Sequence, residues 1–243
     1  GNSRIQKFNS SGVYQSQLGS NGSGNGQVNN PRGIAIDASD NIYVADTNNH
    51  RIQKFNSSGL YQSQFGSPGS DDGLFNAPQG IAIDSLGDIY VADTANHRIQ
   101  KFNSSGLYQS QISTSIGSPG GIAVDGLDNF YVANTGYHQI QKFNSSGVYQ
   151  SQFGSYGSGN GQFTYPQGVA IDSSGNIYVA DTNNNRIQEF TQSMHAGSFS
   201  TNLADLTCNT TYHYRAYATN ADGTMQGDDA TFVTAACPYP DPP

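Results

Sequence analysis

Three histidines recur at one place in successive segments of the chain, His50, His97 and His138, and four aspartates do the same, Asp37, Asp84, Asp125 and Asp172. Converging imidazoles would suit a transition metal, and a ring of carboxylates would suit a hard cation. Other chemistry is thinly supplied. Glu189 is the only glutamate, so no pair of glutamates can divide acid and base roles. No serine stands in the Gly-X-Ser-X-Gly setting that exposes a nucleophile. His195 and His213 have no ligand-spaced neighbour.

Whether the recurring groups converge depends on the elements that carry them, and those follow from a repeat. Arg-Ile-Gln-Lys-Phe begins at Arg4, Arg51 and Arg98, with variants at Gln139 and Arg186, so the intervals are 47, 47, 41 and 47 residues. Gly-Ile-Ala-Ile-Asp recurs in phase at Gly33 and Gly80, with variants at Gly121 and Gly168, and Tyr-Val-Ala-Asp-Thr at Tyr43, Tyr90 and Tyr178, with a variant at Tyr131. Within one period the β-branched and aromatic runs predict strands over 80–84, 89–93, 98–102 and 108–112. Four short strands per 40–47 residues is the arithmetic of a β-propeller blade, and no 3.6-residue period competes with it.

The first two strands are apolar on both faces, as a sheet held between neighbouring blades must be. The fourth alternates Tyr108, Ser110 and Ile112 with Gln109 and Gln111, as expected of a rim strand with one wet face. Asn-Ser-Ser-Gly at Asn9, Asn56, Asn103 and Asn144 is a turn between the third and fourth strands. Pro31, Pro78, Pro119 and Pro166 punctuate the crossovers, where no ladder N–H is needed. This placement disfavours a metal site. The histidines open the third strand, about 10 Å further from the axis than the first if strands lie about 4.8 Å apart, and should diverge around the ring. Each recurring aspartate is read as the cap of its own turn.

Ala-Asp-Thr followed by Asn-His-Arg-Ile, at Ala45 to Ile52 and Ala92 to Ile99, resembles the NHL repeat, and the Gly-Ile-Ala-Ile-Asp run fits it too. The resemblance covers residues 1–190 and implies an all-β, NHL-type propeller of about 4–5 blades. NHL propellers are usually six-bladed rings, so it implies a shortfall: a fragment, a smaller ring, or a ring completed by another chain through open strand edges. Some NHL propellers are lyases with a metal in the channel, which makes a channel-site lyase or lactonase-like hydrolase the alternative to a binding module.

The repeats also vary informatively. Asp46 occurs with Arg51, Asp93 with Arg98 and Asp181 with Arg186, whereas the repeat that has Asn134 in place of the acid has Gln139 in place of the base. A hairpin brings the two positions together, predicting a pair or hydrogen-bonded network in each blade that is worth at most about 1 kcal/mol if exposed. The same divergent repeat is 6 residues shorter in its crossover and carries Gly136, Tyr137 and His138. With Tyr165 these are the candidate binding residues, while Phe75 and Phe163 are expected between blades.

After Phe190 the period stops. Residues 210–220 and 230–234, around a Gly223 turn, read as antiparallel strands resembling the end of a fibronectin type III-like module of bacterial surface proteins, placed at 191–237, with a Pro-rich tail at 238–243. Cys208 and Cys237 bracket it and are read as a disulfide worth roughly 3 kcal/mol by loop entropy.

Composition bounds the partners. The formal net charge is −8, charged residues are 12% of the chain and no basic patch forms, which argues against nucleic acid. No run of 18 apolar residues or signal-peptide pattern is present, and the chain opens inside a repeat without an initiator Met, as a mature or excised segment would. The expectation is a non-catalytic, cofactor-free binding or scaffold module at a bacterial cell surface, with a protein or glycan partner or copies of itself.

Overall fold

A computed structural model describes residues 2–113, 115–191, 207, 209–214, 217–220, 223–226 and 230–234. The chain divides into two units, residues 1–193 and 194–243.

The first unit is built from the hairpin turns upward. In each Asn-Ser-Ser-Gly turn the Asn carboxamide oxygen accepts two backbone N–H groups; for Asn56 these are Ser58 and Leu60, at 3.1 and 2.9 Å, and Gly59 sits at φ 81° where a side chain would be strained. These turns and the equivalent aspartate turns fold the chain into antiparallel sheets. An N-terminal hairpin, β1 (Ile5–Phe8) and β2 (Tyr14–Leu18), precedes blade I, made of β3 (Ile34–Ile36), β4 (Ile42–Asp46), β5 (Arg51–Phe55) and β6 (Tyr61–Phe65). Blade II is β7 (Pro78–Ile83), β8 (Ile89–Asp93), β9 (Arg98–Phe102) and β10 (Tyr108–Ile112). Blade III is β11 (Pro119–Val124), β12 (Phe130–Asn134), β13 (Gln139–Phe143) and β14 (Tyr149–Phe153). Blade IV has three strands, β15 (Pro166–Ile171), β16 (Ile177–Asp181) and β17 (Arg186–Phe190). The unit is therefore a four-blade propeller of antiparallel sheets with a half-blade at its start.

One difference from the sequence expectation is local. The first strand of blades II to IV starts at the proline itself, with Pro78 opposite Asp93. Proline is tolerated there because its carbonyl, not an N–H, is what the fold uses: Thr47 Oγ1 of the preceding blade donates to Pro78 O at 2.8 Å, Thr94 to Pro119 at 2.8 Å and Thr135 to Pro166 at 2.6 Å.

Register decides which side chains meet. In blade II, Ile81, Ile89, Val91 and Phe102 share one face, and Ala82, Tyr90, Ala92 and Ile99 share the other. The Ile/Val/Phe face of each blade packs on the Ala/Tyr/Ala/Ile face of the blade before it, with Phe75 and Phe163, both 0% exposed, wedged into the first and third seams. Each fully buried Ile or Val contributes about 1.5–3 kcal/mol, so the seams carry most of the stability. At the inner edge the strands approach backbone to backbone. A Cβ on Gly33 would collide with Gln79 O, one on Gly80 with Gly120 O, and one on Gly121 would lie 3.0 Å from Gln167 O.

The ends of the array are open. Ile34 and Ile36 on blade I are 48% and 61% exposed, and Ile187 on blade IV is 66% exposed, whereas their counterparts in the seams are buried or partly buried.

In the second unit β18 (Thr211–Tyr214) pairs with β21 (Ala230–Val233) and β19 (Tyr217–Asn220) with β20 (Gly223–Gln226), each antiparallel. The long stretch expected as one strand is thus two, and Gly223, expected in a turn, opens β20 opposite Asn220. Cys208 and Cys237 lie outside the described residues.

Candidate functional site

The corner between second and third strands holds most of the recurring polar groups. In blade I the Asp46 carboxylate accepts from Asn29 N (2.7 Å), Asn49 Nδ2 (2.9 Å), Arg51 Nε (2.8 Å) and Gln53 Nε2 (2.9 Å). Arg51 in turn donates to Gln64 Oε1 and, through Nη2, to the carbonyls of Gly24 and Gln27 in the crossover loop. Asp93 with Arg98, and Asp181 with Arg186, repeat the arrangement. In these three blades acid and base are in contact, and in blade I the pair is buried: Asp46 is 0% and Arg51 7% exposed. A buried, fully hydrogen-bonded pair contributes modestly as a whole, yet losing one member strands a charge at a cost of about 3–5 kcal/mol.

Blade III shows what the pair is for. Asn134 Oδ1 accepts from Gly117 N at 2.9 Å, and its Nδ2 donates to Ser115 O and Gln141 Oε1, both at 2.9 Å. Its crossover is too short to offer the two carbonyls that the arginine holds elsewhere. Without that loop the guanidinium has nothing to clamp, and with the base gone a buried carboxylate would be uncompensated.

The histidines tie seams together. His50 Nδ1 accepts from Ala77 N at 3.0 Å, His97 Nδ1 from Ser118 N at 2.9 Å and His138 Nδ1 from Tyr165 N at 3.1 Å. Each imidazole is committed to its own crossover, whose N–H belongs to a residue in the left-handed region, at φ 50°, 49° and 53°. The aspartates cap their turns: Asp37 Oδ1 accepts from Ser39 N and Asn41 N, both at 2.9 Å. Burial works to raise the Asp37 carboxyl, but the bonds from Asn41 and Ser39 and the Lys54 charge hold it below the usual carboxylate value. Burial likewise works to lower the Lys54 ammonium, and Tyr43 and Asp37 leave it raised. The ammonium lies 4.9 Å over the Tyr43 ring and 3.5 Å from Asp37.

One seam tie also carries exposed aromatic rings. At the third seam the His138 ring stands 4.7 Å from Tyr165 at 81° and 5.0 Å from Tyr156 at 60°. Tyr137, Tyr156 and Tyr165 are 54%, 70% and 46% exposed. Gly136 allows this closeness, because its N–H donates to Gly117 O at 2.8 Å and a Cβ there would lie 2.7 Å from that oxygen. Tyr137 lies against Gly117, where a Cβ would be 3.2 Å from the ring. The structure thus gathers His138 and Tyr165 of the expected residues, with Gly136 and Tyr137 beside them, and adds Tyr156. The signal for Tyr156 was available: it stands where the aligned loops have Asn21 and Pro68. No other seam collects aromatics at these positions, and residues 134–138 and 154–166 contain no Asp, Glu, Lys or Arg.

Four-stranded blades joined by repeated seam ties define the β-propeller class. Within it, a family description, NHL repeat, matches residues 28–55, 75–102, 117–143 and 163–190, so the chain carries four NHL repeats. No curated protein matches the chain. Among solved structures it is similar to virginiamycin B lyase from Staphylococcus aureus, at 15% identity and TM-score 0.56, covering 78% of this chain and 63% of that one. A streptogramin B lyase structure matches at 14% identity and TM-score 0.52, covering 84% and 68%. A nidogen/laminin complex chain matches at 20% identity and TM-score 0.53, covering 69% and 61%. The chain therefore spans less than two thirds of the length of the first of these structures, and identities this low speak to fold alone.

Proposed function

We propose that this protein is a non-catalytic binding module of a cell surface or extracellular assembly, and that the aromatic platform at the third seam is its ligand contact. The observation that carries this reading is the exposed pair Tyr156 and Tyr165 set on the His138 ring at one seam, with exposed Tyr137 next to His138 in the chain, where the other repeats place Asn, Pro, Ala or Ser. Tyrosine supplies large, rigid contact area with few rotors to immobilise, which suits a binding surface. The recurring carboxylates, cations and imidazoles described above are already engaged in turns, corners and seams, which leaves them poorly placed to act as acid, base or metal ligand. A channel enzyme also fits poorly at the inner edge, where glycine backbones meet. The fold likeness to a nidogen/laminin complex is compatible with a protein partner, and the lack of charged side chains around the platform suits a neutral glycan as a second reading.

The test is binding of wild-type protein and a Tyr137→Ala/Tyr156→Ala/Tyr165→Ala variant to a glycan array and to surface proteins of the native cell, followed by calorimetry on any hit. The variant should keep its stability within about 0.5 kcal/mol per site, as exposed positions do, and lose at least about tenfold in affinity. Unchanged binding by the variant, or turnover of a lactone by the wild-type protein, would overturn the reading.

A further inference from the structure

The second seam, between blades II and III, is filled less completely than the seams on either side of it. Between the end of the fourth strand and the seam side chain ahead of the next blade lie nine residues at 66–74 and at 154–162, but three at 113–115. In the first seam Phe65, Phe75 and Phe102 pack with ring centroids 4.8–6.2 Å apart, and in the third Phe153, Phe163 and Phe190 do so at 4.9–6.2 Å. The second seam has Ile112, Ile116 and Phe143 in these places. Beside them runs a groove of about 560 Å³, within the size range of ligand sites.

In the flanking seams the longer crossovers cover this place. A crossover glycine N–H donates to the third-strand glutamine, Gly73 to Gln100 Oε1 at 2.9 Å and Gly161 to Gln188 Oε1 at 3.0 Å. The same carboxamide donates through Nε2 to the next main-chain carbonyl, Leu74 O and Gln162 O, both at 2.7 Å. Gly73 also lies against the fourth strand, where a Cβ on it would be 3.8 Å from the Cβ of Tyr108. Blade III keeps the same receivers, Gln141 and Tyr149, under a crossover six residues too short to reach over them. Gln141 Oε1 accepts from Asn134 Nδ2, and its Nε2 has no hydrogen-bond partner among the described residues, although the residue is only 1% exposed. No fully buried side-chain nitrogen or oxygen among the described residues lacks a partner, so this Nε2 is reached from the groove that Gln141 lines. Gln152 stands where Gln64 and Gln111 receive an arginine, and it too has no side-chain partner among the described residues. Tyr149 is 49% exposed.

We propose that this groove is a binding site separate from the tyrosine platform, and that it seats an uncharged, glycine-rich segment of a partner protein whose main chain runs as the longer crossovers do. Gln141 Nε2 donates to a main-chain carbonyl of that segment, as Gln100 and Gln188 donate to their own loops, and the Gln152 carboxamide meets a further main-chain group. Ile112 and Phe143 supply the apolar floor, and Tyr149 stands at its side. The occupant is peptide because the fold seats main chain at the same place in both flanking seams, held by the same glutamine. It is uncharged because no charged side chain lines the groove, so an ammonium or carboxylate would be desolvated there without a partner. Glycine suits it because the seat receives backbone, and main-chain hydrogen bonds carry the affinity in recognition of this kind.

Titration of the 15N-labelled full chain with the synthetic peptide Ser-Tyr-Gly-Ser-Gly-Asn-Gly-Gln-Phe, the sequence of the third-seam crossover at 155–163, tests this by NMR. The side-chain amide signals of Gln141 should shift saturably, with a Kd of about 1 mM or tighter, weak because the free peptide must be ordered on binding. Two variants at exposed positions should keep the fold and weaken binding at least about tenfold: Ser113→Trp, which fills the groove, and Tyr149→Ala combined with Gln152→Ala, which strips its side. Gln141 signals that do not move with peptide at about 5 mM, binding indifferent to both variants, or the same signals answering to a neutral oligosaccharide such as maltohexaose and not to the peptide would each overturn the proposal.

Discussion

The corner of blade III and the corner of blade II occupy the same place in the fold and solve different problems. Blade II buries Asp93 against Arg98, and the arginine reaches on to the carbonyls of Asp71 and Leu74 in a long crossover. Blade III buries a neutral amide, Asn134, against Gln141 and a shorter loop. The comparison teaches that the ion pair is a loop clamp before it is a source of stability, and that shortening the loop removes both charges together. The platform tyrosines Tyr156 and Tyr165 lie on the next crossover, where Arg186 still holds the carbonyls of Gly159 and Gln162.

The largest test of that contrast is truncation of the acid. Asp93→Ala should cost about 3–5 kcal/mol in urea unfolding because it strands the buried Arg98, whereas Asn134→Ala should cost about 1–3 kcal/mol by leaving neutral groups unpaired. Equal losses would refute the clamp. Transplanting the pair is the next test. Asn134→Asp with Gln139→Arg gives blade III the charges without the loop carbonyls, and should lower stability by about 1–2 kcal/mol instead of raising it.

The smallest test is acid titration. Burial works to raise the Asp181 carboxyl, but the Thr164 N–H and the Asn184, Arg186 and Gln188 side chains hold it below the usual carboxylate value. A carboxylate depressed in the folded state contributes stability above its unfolded pKa, and that contribution is lost as pH falls through its folded value. Stability should therefore decline from about pH 4 downward, and Asp181→Asn should flatten that decline when unfolding midpoints are compared from pH 5 to 2.

Much of the fold was legible because each strand signal is repeated in phase. The strands at 89–93, 98–102 and 108–112 form where the β-branched runs and turns place them, and the two-sided apolarity of Ile81 to Ala92 correctly implied sheets packed between neighbours. What was not legible depends on distance between loops. The burial of Asp46 and Arg51 comes from a crossover folding over the corner, which no local pattern reports. The role of His50, His97 and His138 as acceptors for the next crossover is likewise a seam property. Tyr156 was overlooked because its loop looks like generic Gly/Ser punctuation, although its alignment with Pro68 marked the change.

The glycines at the inner edge set a limit on what such chains can become. With Gly33 and Gly80 pressed against neighbouring carbonyls, a side chain at either position would force adjacent blades apart, so descendants of this array have little freedom to vary there. Diversity is steered to the perimeter, where loops lengthen, shorten and exchange residues while the hub stays uniform.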